Sequence, residues 1–148
     1  MRFLGNIEAK IDAKGRVFLP ATFRKVLQAN GENMLVLRKD VHEACLVLYP
    51  LSVWDRRTEE ILERVNEYNK EDQMVFRQYV SAVEEVTLDV NGRFLIPKRY
   101  LQMAEIKQSV RMIGIKDYIE IWAAEKTEDP FLSEDDFSSK LNNLMAKK

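Results

Sequence analysis

The chain has 148 residues, 46% of them hydrophobic and 32% charged, with a formal net charge of −1; such a composition fits a soluble globular protein and argues against a disordered chain. No apolar run approaches the roughly 18 residues of a membrane-spanning helix, and charges interrupt the opening MRFLGNIEAKID, so neither a membrane anchor nor a secretory signal is expected. The single cysteine, Cys45, excludes an internal disulfide and fits a reducing compartment, so the expected location is cytoplasmic.

In chain order, a short strand over Ile7 to Ile11 enters the turn Asp12-Ala13-Lys14-Gly15-Arg16. Aspartate at the first position of such a turn bonds the backbone two residues on, and glycine supplies the positive φ that closes the hairpin. A second strand, Val17 to Leu19, ends at Pro20, which cannot extend a ladder but opens the short helix ATFRKVLQA. Two apolar runs, MLVLR and CLVLYP, read as strands from their β-branched and aromatic content. Residues 52 to 81 read as helix. Ser52 with Asp55 resembles a capping box, and Trp54, Ile61, Leu62, Val65 and Tyr68 recur at helical spacing. Met74, Val75, Phe76, Tyr79 and Val80 fall on a second helical segment. The layout then begins again: a strand from Val83 to Leu88, a turn from Asp89 to Arg93, a strand from Phe94 to Ile96, Pro97, the helix KRYLQMAE, and the strands VRMIGI and YIEIW. In the acidic tail, Ser133 is placed to cap a last helix with Phe137, Leu141 and Leu144 on one side, a packing or subunit-contact face.

The recurrence is an internal repeat. IDAKGRVFLP at 11–20 and LDVNGRFLIP at 88–97 lie 77 residues apart and share Asp12 with Asp89, Gly15 with Gly92, Arg16 with Arg93 and Pro20 with Pro97. The same shift sets Phe23 on Tyr100 and Val26 on Met103. Two β-β-α-β-β copies are expected, at 6–53 and 82–125, with a helical connector at 54–81 and an acidic, partly helical tail at 126–148. A repeat this short does not bury a core alone. The expected fold class is α+β, mainly β, with both copies intertwined in one barrel.

Catalytic constellations are missing from the sequence. His42 is the only histidine, which leaves no His-based metal cluster and no conventional serine triad. It lies in the polar loop RKDVHEA and reads as solvated, while Cys45 opens an apolar run and reads as a buried small hydrophobe. No Gly-rich phosphate loop occurs, and the acidic pairs Glu84-Glu85 and Asp135-Asp136 read as solvated faces. The expectation is a protein that is not an enzyme, with no metal, no cofactor and no small-molecule substrate.

A basic cluster around the first turn remains. Residues 1–28 carry Arg2, Lys10, Lys14, Arg16, Arg24 and Lys25 against Glu8 and Asp12, a balance of +4. Residues 82–105 carry Arg93, Lys98 and Arg99 against Glu84, Glu85, Asp89 and Glu105, a balance of −1. At the shift of 77, Lys10, Lys14, Arg24 and Lys25 become Thr87, Asn91, Leu101 and Gln102. Asp12 with Arg16, and Asp89 with Arg93, are spaced to pair across their turns and hold the hairpin shape. For Arg16, with Lys14 and a basic helix start beside it, DNA contact is the expectation. An arginine fork reads guanine edges bidentately, whereas lysine offers a point charge to phosphate. The expected DNA contacts are therefore Arg16, Lys14, Arg24, Lys25 and Lys10, and the expected turn-forming residues are Asp12, Gly15, Pro20, Asp89, Gly92, Arg93 and Pro97.

The segments FLGNIEAKIDAKGRVFLP, CLVLYPLSVW, VEEVTLDVNGRFLIP and IGIKDYIEIW resemble the bacterial MraZ family over nearly all of residues 3–125. The resemblance implies two SpoVT-AbrB-type repeats in a swapped-hairpin barrel and a ring-shaped homo-oligomer. It further implies a nucleoid-associated transcriptional regulator that binds direct repeats in double-stranded promoter DNA, upstream of the division and cell-wall cluster holding its own gene, with repression the simplest outcome. Asp12 and Arg16, and Asp89 and Arg93, match the family's motif positions. One extra residue precedes FLG, and the tail is longer and more acidic. A second function class is an antitoxin-like module of the same fold that docks a partner protein through residues 127–148; a third is a purely structural ring without DNA affinity.

Overall fold

Pro20, Pro50 and Pro97 each close a strand and stand at the N-cap of the following helix, with φ of −51°, −58° and −58°. Their locked φ and missing N–H end a ladder and pre-set the helix entrance. The structure, a computed structural model, describes residues 1–126 and 130–147. The first copy runs β1 (Asn6–Lys10), β2 (Arg16–Phe18), α1 (Ala21–Ala29), β3 (Met34–Lys39) and β4 (Leu46–Pro50). After α2 (Leu51–Arg64) and α3 (Lys70–Ser81), the second runs β5 (Val83–Thr87), β6 (Arg93–Leu95), α4 (Lys98–Met103), β7 (Ser109–Gly114) and β8 (Ile119–Ala123). A last helix, α5 (Glu134–Met145), follows. The expected order of strands and helices is present in both copies.

The ladders cross between copies. β1 pairs antiparallel with β7, Ile7 opposite Met112, and β5 pairs with β3, Val86 opposite Leu35. β4 meets β8 with Leu46 opposite Ile121, and β2 meets β6 with Val17 opposite Phe94. The result is an antiparallel sheet of six strands in the order β1-β7-β8-β4-β3-β5 beside a two-stranded ribbon, β2-β6. The expected barrel does not close. β1 and β5 end the sheet order without pairing to each other, because each leads straight into its turn and then into the ribbon.

Period-two alternation distributes the core. Leu35 and Leu37 of β3 and Leu46 and Leu48 of β4 enter the main core with Phe3, Leu19, Phe23, Phe94, Tyr100 and Met112. Val36, Val47 and Tyr49 face the other way, under Val53 and Trp54 of α2. Burial on both faces explains why β4 is apolar throughout.

Three expectations for the helical region change. Ser52 is not the start of a capping box, since α2 begins at Leu51 directly after Pro50. Its backbone N–H and its hydroxyl both donate to the Glu32 carboxylate, each at 2.9 Å, so an anion from a distant loop serves the helix N-terminus. The helical pattern breaks at Val65, which is extended, and Tyr68 stands exposed in the loop before α3. Asn69 restarts the helix by accepting from the Asp72 N–H at 2.9 Å. α3 is tied to the sheet by buried Arg38, whose guanidinium lies 4.1 Å from the Tyr79 ring centroid and donates to the Tyr79 carbonyl at 3.1 Å.

Ser133 caps α5 as expected, accepting from the Asp136 N–H at 3.2 Å, and α5 buries none of its residues. Residues 127–129 and 148 of the expected tail lie outside the described residues. Among the described residues no helix is long and apolar enough to cross a membrane.

Candidate nucleic-acid interface

The two turns repeat one hydrogen-bond pattern. In the first, Asp12 Oδ1 accepts from the Lys14 N–H at 3.0 Å and the Arg16 N–H at 2.8 Å, and Oδ2 accepts from Arg16 Nε at 2.8 Å. In the second, Asp89 Oδ1 accepts from the Asn91 and Arg93 N–H groups, each at 2.9 Å, and Oδ2 accepts from Arg93 Nε at 3.0 Å. The Arg16 N–H, with the Arg16 guanidinium and the Lys14 N–H, holds the Asp12 carboxyl below its ordinary range. The N–H groups of Arg93 and Asn91, with the Arg93 guanidinium, do the same for Asp89. Both aspartates thus shape their hairpins and fix the arginine stems.

Gly15 and Gly92 sit at φ +90° and +84°, a region L side chains avoid. Each also accepts a bond from the other hairpin: the Leu19 N–H donates to the Gly92 carbonyl and the Ile96 N–H to the Gly15 carbonyl, both at 2.9 Å. The hairpins are therefore interlocked, with β2 and β6 forming one ribbon.

Alternation along that ribbon sorts its side chains. Val17 and Phe94 point into the core at 1% and 2% exposure. Arg16, Phe18, Arg93 and Leu95 take the opposite face, with Arg16 opposite Leu95 and Phe18 opposite Arg93. The Arg93 guanidinium lies 5.8 Å from the Phe18 ring centroid. Phe18 and Leu95 are half exposed. The ribbon thus presents two arginines and two apolar side chains in a diagonal arrangement. Counting charges did not reveal Phe18 and Leu95; the alternating RVF and RFL triplets carry that signal.

The other basic residues do not gather where the sequence count put them. Lys14 is exposed at the tip of the first turn, Lys10 is exposed at the end of β1 opposite Ser109, and Lys25 is exposed on α1. Arg24 of α1 reaches the second turn instead. Its Nη1 donates to the Leu19 carbonyl at 2.8 Å, and the side chain packs over the second turn, where a Cβ on Gly92 would meet Nη1 at 2.6 Å. Its repeat counterpart Leu101 lies instead by Gly15, 3.8 Å from where a Cβ would stand. Because the hairpins interlock, each helix lands beside the turn of the other copy. The first turn keeps Lys14 and Arg16; the second has Arg24 and Arg93.

Among the described residues one group of metal-type ligand atoms converges, Asp40, Cys45 and Glu120, within 4.8 Å of one another. Burial pushes the Cys45 thiol up to about 12. The carboxylates already have partners: Asp40 accepts from the His42 and Glu43 N–H groups, and Glu120 accepts from Trp122 Nε1. His42 stands exposed in its loop and Cys45 is buried, as the sequence indicated.

A family profile described as "MraZ protein, putative antitoxin-like" matches residues 2–78 and 80–145. The chain belongs to the MraZ family. It is 57% identical to a Phocaeicola vulgatus protein named transcriptional regulator MraZ, over 98% of this chain and 94% of that one. A Bacteroides thetaiotaomicron MraZ of the same name is 56% identical over 98% and 93% of the two chains. A Clostridium tetani MraZ, also named transcriptional regulator, is 35% identical over 86% and 85%.

Proposed function

We propose that this chain is a transcriptional regulator that binds double-stranded DNA through the β2-β6 ribbon and the first turn. The observation that carries the reading is the ribbon's outward face, where Arg16 and Arg93 flank exposed Phe18 and Leu95. A two-stranded antiparallel ribbon fits the major groove. Asp12 holds Arg16 by Nε, which leaves the terminal guanidinium nitrogens for a bidentate contact to a guanine edge. Lys14, Lys10 and Lys25 supply phosphate contacts, and apolar Phe18 suits a thymine methyl. Arg24 belongs to the second turn, where its bond to Leu19 holds it close to the protein surface. The names carried by the relatives support the regulatory assignment.

The two copies are read as SpoVT-AbrB-type repeats, and the functional unit as a ring homo-oligomer on the nucleoid. One turn with a few cations gives weak, salt-sensitive binding. Several turns held rigidly raise the effective concentration at neighbouring sites, so direct repeats upstream of the protein's own division and cell-wall cluster become the preferred target. Boxes spaced near one helical turn present the same groove to each subunit. A ring seated over a promoter excludes polymerase, which makes it a repressor.

The test is a gel-shift series on the protein's own upstream region. Arg16→Ala abolishes binding with oligomer size unchanged; equal binding by wild type and Arg16→Ala overturns the assignment. An antitoxin-like role is the second reading, favoured by the family description and by the uncovered apolar face of α5. It requires stoichiometric capture of a foreign protein that α5 variants lose.

A further inference from the structure

Among the described residues two apolar surfaces stand exposed, and their chemistries match. The first is α5, where Phe137, Leu141 and Leu144 follow a spacing of four and three residues and so share one face. They are 57%, 42% and 59% exposed, and no residue of the helix is buried. Its first turn is acidic, with Glu134, Asp135 and Asp136. The second is a groove of about 730 Å³ between α3, α4 and the segment after β3. Val41, Val75 and Met103 line it, the first two at 62% and 60% exposure. Arg38, Lys39, Arg99 and Asp40 also line it, with Arg99 paired to Glu84 and Lys39 donating to the Asp40 and Glu43 carbonyls.

We infer that α5 of one copy docks in this groove on a second copy, its apolar stripe on Val41, Val75 and Met103 and its acidic first turn against the basic lining. An amphipathic helix laid in an apolar groove is a common mode of recognition. Opposite charges at the rim fix which end of the helix lies where. An anionic membrane is a poor occupant for α5, because interfacial helices carry Lys and Arg on their polar face and this one opens with three acids. Each chain offers one helix and one groove, two different patches, so the contact is head-to-tail. Repetition of such a contact closes into a ring when the rotation allows. The inference rests on the self-association proposed above and not on DNA contact.

Complementation on the full chain tests it. Leu141→Asp spoils the helix and leaves the groove; Val75→Asp spoils the groove and leaves the helix. Both positions are exposed, so the circular dichroism of each variant should match wild type, while its melting falls by what assembly contributes. Light scattering behind size exclusion should find wild type as an oligomer and each variant alone as a monomer. An equimolar mixture should form a dimer, since it has one intact helix and one intact groove to join. Wild type and Leu141→Asp assembling to the same size overturns the inference while leaving self-association standing, and points α5 to a foreign partner. A mixture that stays monomeric shows that the two surfaces do not meet, and also overturns it. A monomeric wild type overturns self-association itself; if Leu141→Asp then melts lower, α5 docks on its own chain.

Discussion

The turns at 12–16 and 89–93 share every aspartate and arginine hydrogen bond, yet their surroundings differ. Gly15 is pressed by backbone, the Ile96 carbonyl, whereas Gly92 is covered by a side chain, Arg24. The first turn carries an exposed lysine, where the second carries Asn91. A duplicated device thus keeps its internal geometry under substitution, while whatever packs on it from the other copy is free to diverge. Shape is shared; charge and crowding are not.

The sharpest break in the comparison is DNA binding. Arg16→Ala should reduce affinity for the upstream region by about 100-fold or more, since a bidentate contact is worth about 1–3 kcal/mol and is multiplied across subunits. Arg93→Ala should reduce it by roughly 10-fold, because Arg24 is held to the protein and Asn91 replaces the lysine. Gel shifts at one salt concentration check the order, and the reverse order would discard the assignment of the first turn.

Stability gives the next contrast. Gly15→Ala adds a Cβ 2.8 Å from the Ile96 carbonyl oxygen at φ +90°, and backbone there cannot step aside. It should destabilise by about 2–3 kcal/mol, a Tm drop of roughly 5–10 °C. Gly92→Ala carries the same positive-φ strain but meets a side chain that can shift, and should cost about 1–2 kcal/mol. Calorimetry of the two variants measures the gap; equal drops would show that crowding does not distinguish the turns.

Arg24→Leu copies Leu101 into the first repeat. Loss of the bond to Leu19 should cost about 1 kcal/mol of stability. DNA affinity should fall only severalfold, with the salt slope lower by about one at most. A loss as large as that of Arg16→Ala would place Arg24 in the reading set after all.

Acid produces the smallest and most even effect. Asp12 and Asp89 both titrate below the ordinary 3.8 in the folded chain, so their stabilisation is present at neutral pH and above the unfolded value. It is lost as pH falls below that range through the folded values. Urea midpoints should stay flat for these groups from pH 7 to pH 5 and drop toward pH 3, and Asp12→Asn or Asp89→Asn should flatten that drop by similar amounts.

Much of this architecture was legible because repetition, proline placement and alternation are local signals. α1 coincides with ATFRKVLQA, and Pro20 and Pro97 mark both helix starts. Partners across the copies were not legible. Nothing local says that Ile7 lies opposite Met112, or that Arg24 crosses to Gly92, because both follow from the interlocked hairpins. Ser52 resembles a capping residue only locally, for the same reason: its acceptor, Glu32, is twenty residues away. Tyr68 fitted a helical period by chance of spacing, and Asn69 ended that segment by capping the next helix. At the candidate site, Arg16 and Lys14 could be read from the turn itself, while Phe18 and Leu95 required the ribbon to exist.

The crossing of the ladders also bears on how the chain matures during synthesis. β1 emerges from the ribosome first, but its partner β7 ends at Gly114, about a hundred residues later. At roughly 5–20 residues per second, the first edge strand waits on the order of 5–20 s without a ladder. Contacts of such long sequence separation also fold slowly once available. The nascent first copy therefore has every residue of its turn but only the β3-β4 pair of its sheet, and the time its apolar strands stay uncovered is set by translation speed.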